Sequence, residues 1–525
     1  MSDSKETYGA APLSHRQILI ALSGLMLGML LAALDQTIVA TALPTIVGDL
    51  GGLKHLSWVV TAYLLSSTAV TPLYGKLSDL FGRKKLFQFA IVVFLVGSAL
   101  AGLSQNMGEL IAFRALQGIG GGGLFAMVLS IIGDIVPPRE RGKYQGYLGA
   151  VFASASVFGP LAGGFLTDQI SWRWIFYVNL PVGIFALIVT SAVLKLPVKH
   201  VAHKIDFLGS ALITAAVTSA LLVTVWGGVT YAWGSTTLIA LEVLAVLLVA
   251  LFIFVEMKAP EPILPLRLFR DKVFSVSSTI GFISGFSLFG AVIFLPEYMQ
   301  VVRGVSATKS GLMLIPLTIG IVIGSVGSGQ IITRVGKYKI FPIVGSIFLT
   351  AGFYMLSLIG VNTAYWKEAI YMAVTGVGLG LTIQVIVLAT QNSVEFKDMG
   401  TATSAVTFFR TMGGAIGTSF FGNILVNRLT YNLNRLGAGK SASNAASSLM
   451  GGSPKVLDKL PPLIHQGILE AFVKSLHVVF LFAIPFAAVA IIFALILPEK
   501  PLRSVAAIAG GSKENDLEAP LFIAE

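Results

Sequence analysis

Residues 31–44 read LAALDQTIVATALP, and Asp35 is the first charge after a run from Ile18 to Leu34 that carries none. A carboxyl in such a setting can take up and release a proton. Ionised, it would attract a lipophilic cation, and protonated, it would let the cation go. Arg114, five residues beyond Glu109, is a second charge inside an apolar run. At the centre of a spanning helix a guanidinium costs about 2.5–3.5 kcal/mol, so it faces a partner or a cavity; near one end it can instead snorkel to the interface. Glu297, after FLP, is a further acid at the end of an apolar run, and Arg410 a further cation, placed to reach an inner acid such as Glu395. No nucleophile, base and orienting acid fall together on these runs, so hydrolysis has no support. The chemistry on offer is the movement of charge and protons.

Such groups need helices that cross a bilayer, and the composition supplies them. Only 12% of the 525 residues are charged and 55% are apolar, with a mean hydropathy of +0.84. Soluble domains carry about a quarter charged residues. There are no cysteines, which excludes disulfides and thiolate metal sites. The net charge of +11 reads as Lys and Arg held in cytoplasmic loops rather than as a nucleic-acid surface. No cleavage site follows the first apolar run, so that run is expected to be retained as a helix.

A spanning helix needs about 20 mostly apolar residues. The expectation is an all-α polytopic membrane protein with fourteen such helices: 17–40, 57–76, 86–104, 109–131, 144–167, 173–195, 207–226, 237–256, 274–296, 309–332, 340–360, 369–390, 402–425 and 475–497. Basic residues such as Arg83, Lys84 and Lys85, Arg139, Arg141 and Lys143, or Arg334, Lys337 and Lys339 fall between alternate helices, which places both termini in the cytoplasm. The expected organisation is a cytoplasmic N-terminus (1–16), a six-helix half (17–195), an extra helix pair with its flanking loops (196–273), a second six-helix half (274–497) and a cytoplasmic tail (498–525). A long extracellular loop is expected at about 426–474, where Ser, Ala, Gly and Asn dominate.

The halves echo one another. GKLSDLFGRKK at 75–85 aligns with GQIITRVGKYK at 329–339, so that Gly75 meets Gly329, Gly82 meets Gly336 and Arg83 meets Lys337. Thr333 stands where the first copy has Asp79. Two like halves around a midplane site is a common plan of secondary transporters.

Six stretches in order, LDQTIVATALPTI, GKLSDLFGRKK, RALQGIGGGG, GPLAGG, WRWIFYVNLPVG and YMQVVRGVSATKSGLMLIP, make the chain resemble the major facilitator superfamily. Within it the likeness is to the fourteen-helix drug:proton antiporters, of the multidrug and quaternary-ammonium exporter type, over roughly 17–497. The resemblance implies proton-coupling and substrate roles for Asp35, Arg114 and Glu297. It implies a cytoplasmic charge latch of Gly75, Asp79, Gly82, Arg83, Lys84, Asp134 and Arg141. It also implies an antiporter motif of Gly159, Pro160, Gly163 and Gly164 in helix five, associated with export rather than import. The expected activity is proton-coupled efflux of small lipophilic, cationic compounds by a monomer in the cell membrane. A proton gradient would be the energy source, with no enzyme activity, cofactor or nucleic-acid partner. Export or flipping of an endogenous amphiphile, and a non-transporting sensor, are the alternatives.

Two other patterns are decoys. Gly118, Gly120 and Gly123 satisfy a dinucleotide fingerprint but no strand precedes them. GAGKS at 437–441 has Asn434 where a phosphate loop would begin with glycine. The six His fall in loops or at helix ends, without metal-site spacing.

Overall fold

The structure is a computed structural model describing residues 15–50, 56–136, 138–194, 206–227, 231–435 and 462–503. All its regular elements among those residues are helical. The first half is α1 (His15–Leu50), α2 (Leu56–Phe81), α3 (Arg83–Leu103), α4 (Met107–Ile135), α5 (Pro138–Gln169), the single turn α6 (Trp174–Tyr177) and α7 (Asn179–Val193). Next come α8 (Phe207–Trp226) and α9 (Thr236–Lys258), packed on each other. The second half is α10 (Lys272–Ala291), α11 (Leu295–Arg303), α12 (Ala307–Met313), α13 (Ile315–Val335), α14 (Ile340–Leu356), α15 (Tyr365–Ser393), α16 (Met399–Arg435) and α17 (Pro462–Ile496). Among the described residues nine helices are long and apolar enough to cross a membrane. Each of the fourteen sequence intervals falls on helix. Three of them are broken: at Val178 between α6 and α7, at the tight turn Val292–Phe294 between α10 and α11, and at Leu314 between α12 and α13.

One expectation is corrected. The stretch at 426–474 is helical at both ends, because α16 runs on to Arg435 and α17 already starts at Pro462. Residues 436–461, the rest of the expected loop, lie outside the described residues. Average composition hid an apolar stripe: Leu425, Leu429 and Leu433 repeat every four residues and are buried with Ile468, Phe472 and Leu476 of α17 in one core. That spacing is one face of an α-helix. Asn432 donates to Ser475 Oγ at 3.0 Å across the pair.

The halves meet where α5 packs on α13 and α2 on α16. Gly82 and Gly336, aligned in the repeat, both take positive φ, 93° and 75°, a conformation that favours glycine. They mark the end of the bundle that carries the basic turns, hereafter the latch end. At that end the first residues after α17 lie against the second half. Tyr338 N donates to Glu499 at 3.0 Å and Lys500 pairs with Asp271 at 2.7 Å.

The glycines of α4 set how closely the first half can pack. Gly118 abuts the Tyr63 backbone and Gly122 the Ser67 backbone on α2, while Gly120 faces α3. A side chain at Gly120 would begin 2.6 Å from the Ala90 carbonyl and 2.7 Å from Phe94 Cα. Neither is a flexible tip. Gly120→Val is therefore expected to lower stability by about 1–3 kcal/mol through overpacking. Gly327→Ala, where nothing lies within 4 Å, should be neutral or stabilising, since Ala exceeds Gly in helix propensity by about 1 kcal/mol. Thermal unfolding of both variants in detergent checks the contrast.

Candidate functional site

The apolar spacing of α1 buries Leu31, Ala32, Ala33, Ile38 and Val39 around Asp35, and Asp35 itself is fully buried. The residues that meet it come from two further helices. Arg114 of α4, 1% exposed, places Nη1 2.6 Å from Asp35 Oδ2. Gln117, one helical turn on, donates Nε2 to Asp35 Oδ1 at 2.8 Å and accepts from Arg114 Nη1 at 2.7 Å. Asn179, the first residue of α7, adds a longer contact to Asp35 Oδ1 at 3.3 Å and donates to Ser98 Oγ of α3 at 3.0 Å. Ser98 in turn donates to the Phe176 carbonyl at 2.8 Å. Arg114 Nε reaches the Val59 carbonyl at 3.2 Å, and its guanidinium lies 4.4 Å from the centre of the Tyr63 ring. Both charges are thus matched by an opposite charge and by neutral dipoles, which is what a buried pair needs in order to be tolerated.

Arg114 is seven residues from the start of α4, so it lies roughly 10 Å inside the end opposite the latch. It bonds inward to Asp35 instead of snorkelling. Asp35 and Arg114, named separately from the sequence, meet each other and are joined by three residues that the sequence reading passed over, Gln117, Asn179 and Ser98. The spacing of Arg114 and Gln117 was the available signal, since residues three apart share a helix face.

Glu297 does not join this cluster. It sits half-buried in the first turn of α11, in the other half of the molecule. Its neighbours form a separate cluster: Arg303 pairs with the fully buried Glu368 at 2.5 Å, and Tyr298 donates to Glu368 at 2.7 Å.

The latch residues divide. Arg83 binds Asp79 at 2.8 Å and also Asp134 of α4. Asp79 in addition accepts from Thr401 N at 2.9 Å and Thr401 Oγ1 at 3.0 Å, both on α16, so its carboxylate bridges the halves. Gly75 and Gly400 make room for the approach: a Cβ at Gly75 would stand 2.5 Å from Ser404 Cβ, and one at Gly400 would meet the Asp79 carboxylate. Gly82 supplies the turn into α3. Two expected members act elsewhere. Lys84 donates to the Ser191 carbonyl of α7 at 2.8 Å; one residue past Arg83 it points about 100° round the helix. Among the described residues Arg141 pairs with no acid. It donates to the Val136 carbonyl at 2.8 Å and to Gly133 O, serving carbonyls that the end of α4 leaves unpaired. In the second half Thr333 bonds within its own helix, to Gly329 O at 2.8 Å.

Helix α5 continues through Pro160. Gly159 abuts Thr37 of α1, whose Oγ1 lies 3.0 Å from the Ala155 carbonyl. The motif therefore grips α1 two residues beyond Asp35. Gly163 is buried and Gly164 half-buried.

Removing one member of a buried pair costs about 3–5 kcal/mol, because the other charge is left alone. Arg114→Met should therefore destabilise the protein more than the double variant Asp35→Asn, Arg114→Met. A double-mutant cycle of unfolding in detergent should give a coupling of about 1–3 kcal/mol, against zero if the two side chains act independently.

Comparison with known proteins agrees with this geometry. The family model described as Major Facilitator Superfamily matches residues 25–418. An uncharacterised MFS-type transporter of Mycobacterium tuberculosis is 43% identical over 486 residues, covering 93% of this chain and 70% of the relative. Multidrug transporter protein MdtP of Bacillus subtilis is 38% identical, covering 93% of this chain and 94% of its own. Multidrug resistance protein 3 of Bacillus subtilis is 37% identical over 90% of this chain. Among solved structures, the proton:xylose symporter XylE aligns with a TM-score of 0.63 at 12% identity, over 94% of this chain and 99% of that one; that likeness concerns the fold alone. The chain is a multi-pass membrane protein and belongs to the Major Facilitator Superfamily.

Proposed function

We propose that this protein is a proton-coupled multidrug exporter of lipophilic compounds, working as a monomer by alternating access. The observation that carries the proposal is the Asp35–Arg114 ion pair, sealed among helices that cross the membrane. A carboxylate held there by a guanidinium and two amides has a second stable condition, in which a proton replaces the pull of Arg114. Protonation of Asp35 removes the attraction between α1 and α4 and leaves Arg114 its bonds to Gln117 and the Val59 carbonyl. Because Gly159 grips α1 beside this point, a shift of α1 would be felt in α5, and α5 lies against α13 of the other half. The names of the Bacillus relatives support drug efflux, and the excess of Lys and Arg at the latch end supports a cytoplasmic latch with fourteen spans. In this arrangement the halves are held together at the latch end by Asp79 and Thr401, which fits a pathway closed to the cytoplasm.

The driving force is adequate. One charge crossing 100 mV yields about 2.3 kcal/mol, and one pH unit about 1.36 kcal/mol. A cationic cargo would have to displace Arg114 before it could use Asp35, so the charge of the cargo is read by other groups.

The test is transport by the purified protein in proteoliposomes with an imposed pH gradient and a lipophilic dye. Wild type should accumulate dye against its gradient. Asp35→Asn should lose accumulation while still exchanging dye downhill. Accumulation untouched by Asp35→Asn would remove the proton-carrying role from Asp35. If neither dyes nor labelled lipids respond to the gradient, the antiporter proposal itself fails.

A further inference from the structure

Arg410 lies in the middle of α16 and, unlike Arg114, has no counter-charge. It is nine residues beyond Thr401, or about 14 Å above the latch at 1.5 Å per residue. Its carbonyl is where a side chain on Gly285 of α10 would land, and Gly285 is thirteen residues, about 20 Å, above Lys272 at the start of α10. Both measures put Arg410 near the centre of a core about 30 Å thick. Among the described residues it makes no hydrogen bond, ion pair or ring contact.

The helices packed on α16 are α10, α17, α2, α4, α15 and α8. Neither α10 nor α8 contains an acid, and nor does α16. The acids on the others are engaged elsewhere. Asp79 and Asp134 hold Arg83, Glu368 holds Arg303 and Glu470 lies 3.6 Å from Lys474. Glu109 accepts from Gln105 N and Asn106. Glu395, the acid that the sequence suggested for Arg410, pairs with Lys397 at 2.6 Å, and that hydrogen bond holds its carboxyl below the usual carboxylate range.

A guanidinium at this depth is costly when it faces lipid, and it faces a water-filled cavity or a partner instead. Arg410 is partly exposed and meets no charged partner among the described residues. On α10, Ser284 and Ser287 flank Gly285, and their hydroxyls are fully buried without a partner. Neither hydroxyl is engaged by Arg410.

We propose that Arg410 is the anion subsite of the central pathway, taking the carboxylate, sulfonate or phosphate group of an amphiphilic cargo. The planar fork of a guanidinium matches such oxyanions with two parallel hydrogen bonds. This rests on the transporter proposal and adds the charge class of the cargo. It also departs from a cationic preference, since the acid expected to attract cations is occupied by Arg114.

The test uses two xanthene dyes of like size and opposite charge, fluorescein and a cationic rhodamine ester, in the same gradient-driven proteoliposome assay. Wild type should move fluorescein. In Arg410→Gln the ratio of fluorescein to rhodamine transport should fall at least tenfold, with partial recovery in Arg410→Lys. A ratio unchanged in Arg410→Gln, or a wild type that moves rhodamine but not fluorescein, overturns the anion subsite and leaves proton-coupled export standing. Should a variant be inactive toward both dyes, binding decides. Fluorescein should raise the unfolding temperature of wild type in maltoside detergent and not that of Arg410→Gln; equal stabilisation of the two overturns the subsite. Competition by phosphatidylglycerol would identify a lipid headgroup as the natural anion, and its absence a free amphiphile. If no dye responds to the gradient in wild type, the transporter proposal fails while the binding measurement still judges Arg410.

Discussion

A charge inside a low-dielectric bundle is stable only while something matches it, and the Asp35–Arg114 pair shows how much structure that requires. α1 supplies the acid, α4 the guanidinium and one amide, α7 the second amide, and α3 the serine that orients it. Three helices must meet within hydrogen-bonding distance of one carboxylate, with a fourth behind the second amide. The glycines of α4 that abut α2 and α3 allow the helices to come that close. Close packing and charge pairing are thus two sides of one requirement: without the glycines the backbones stand too far apart, and without the pair the site is costly to bury.

The latch follows another logic. Its charges sit at the end of the bundle, and its acid divides its bonds between Arg83 on its own half and Thr401 on the other. The second-half copy carries Thr333 in place of the acid, and its hydroxyl donates to Gly329 O of its own helix. The repeat has therefore kept the turn geometry, seen in the positive φ of Gly82 and Gly336, while the charge function is confined to one copy.

Much of this was legible in the sequence because it depends on local rules. Helix positions follow from runs of apolar residues, and the turns at Gly82 and Gly336 from glycine within a basic motif. Asp35 and Arg114 stood out because a charge in such a run is costly. What was missed depends on tertiary contact. Gln117 and Asn179 are neutral, so nothing marks them until the helices are assembled. Lys84 adjoins Arg83 and Arg141 lies in the next basic turn, yet helical rotation sends one to α7 and the end of α4 captures the other. The helical ends of the 426–474 stretch were hidden because a narrow stripe of Leu425, Leu429 and Leu433 is diluted by polar residues in any average.

The double allegiance of Asp79 sets the cost of separating the halves at that end. When Thr401 withdraws, Asp79 keeps Arg83, and Arg83 keeps Asp134. What breaks there is a pair of hydrogen bonds from neutral donors to a charged acceptor, worth about 1.5–3 kcal/mol each, and the carboxylate can exchange them for water. Breaking an ion pair in the interior would cost about 3–5 kcal/mol and strand a charge. At this end the seam between the halves thus runs beside the ion pairs and not through them, and parting it there would leave both charges matched.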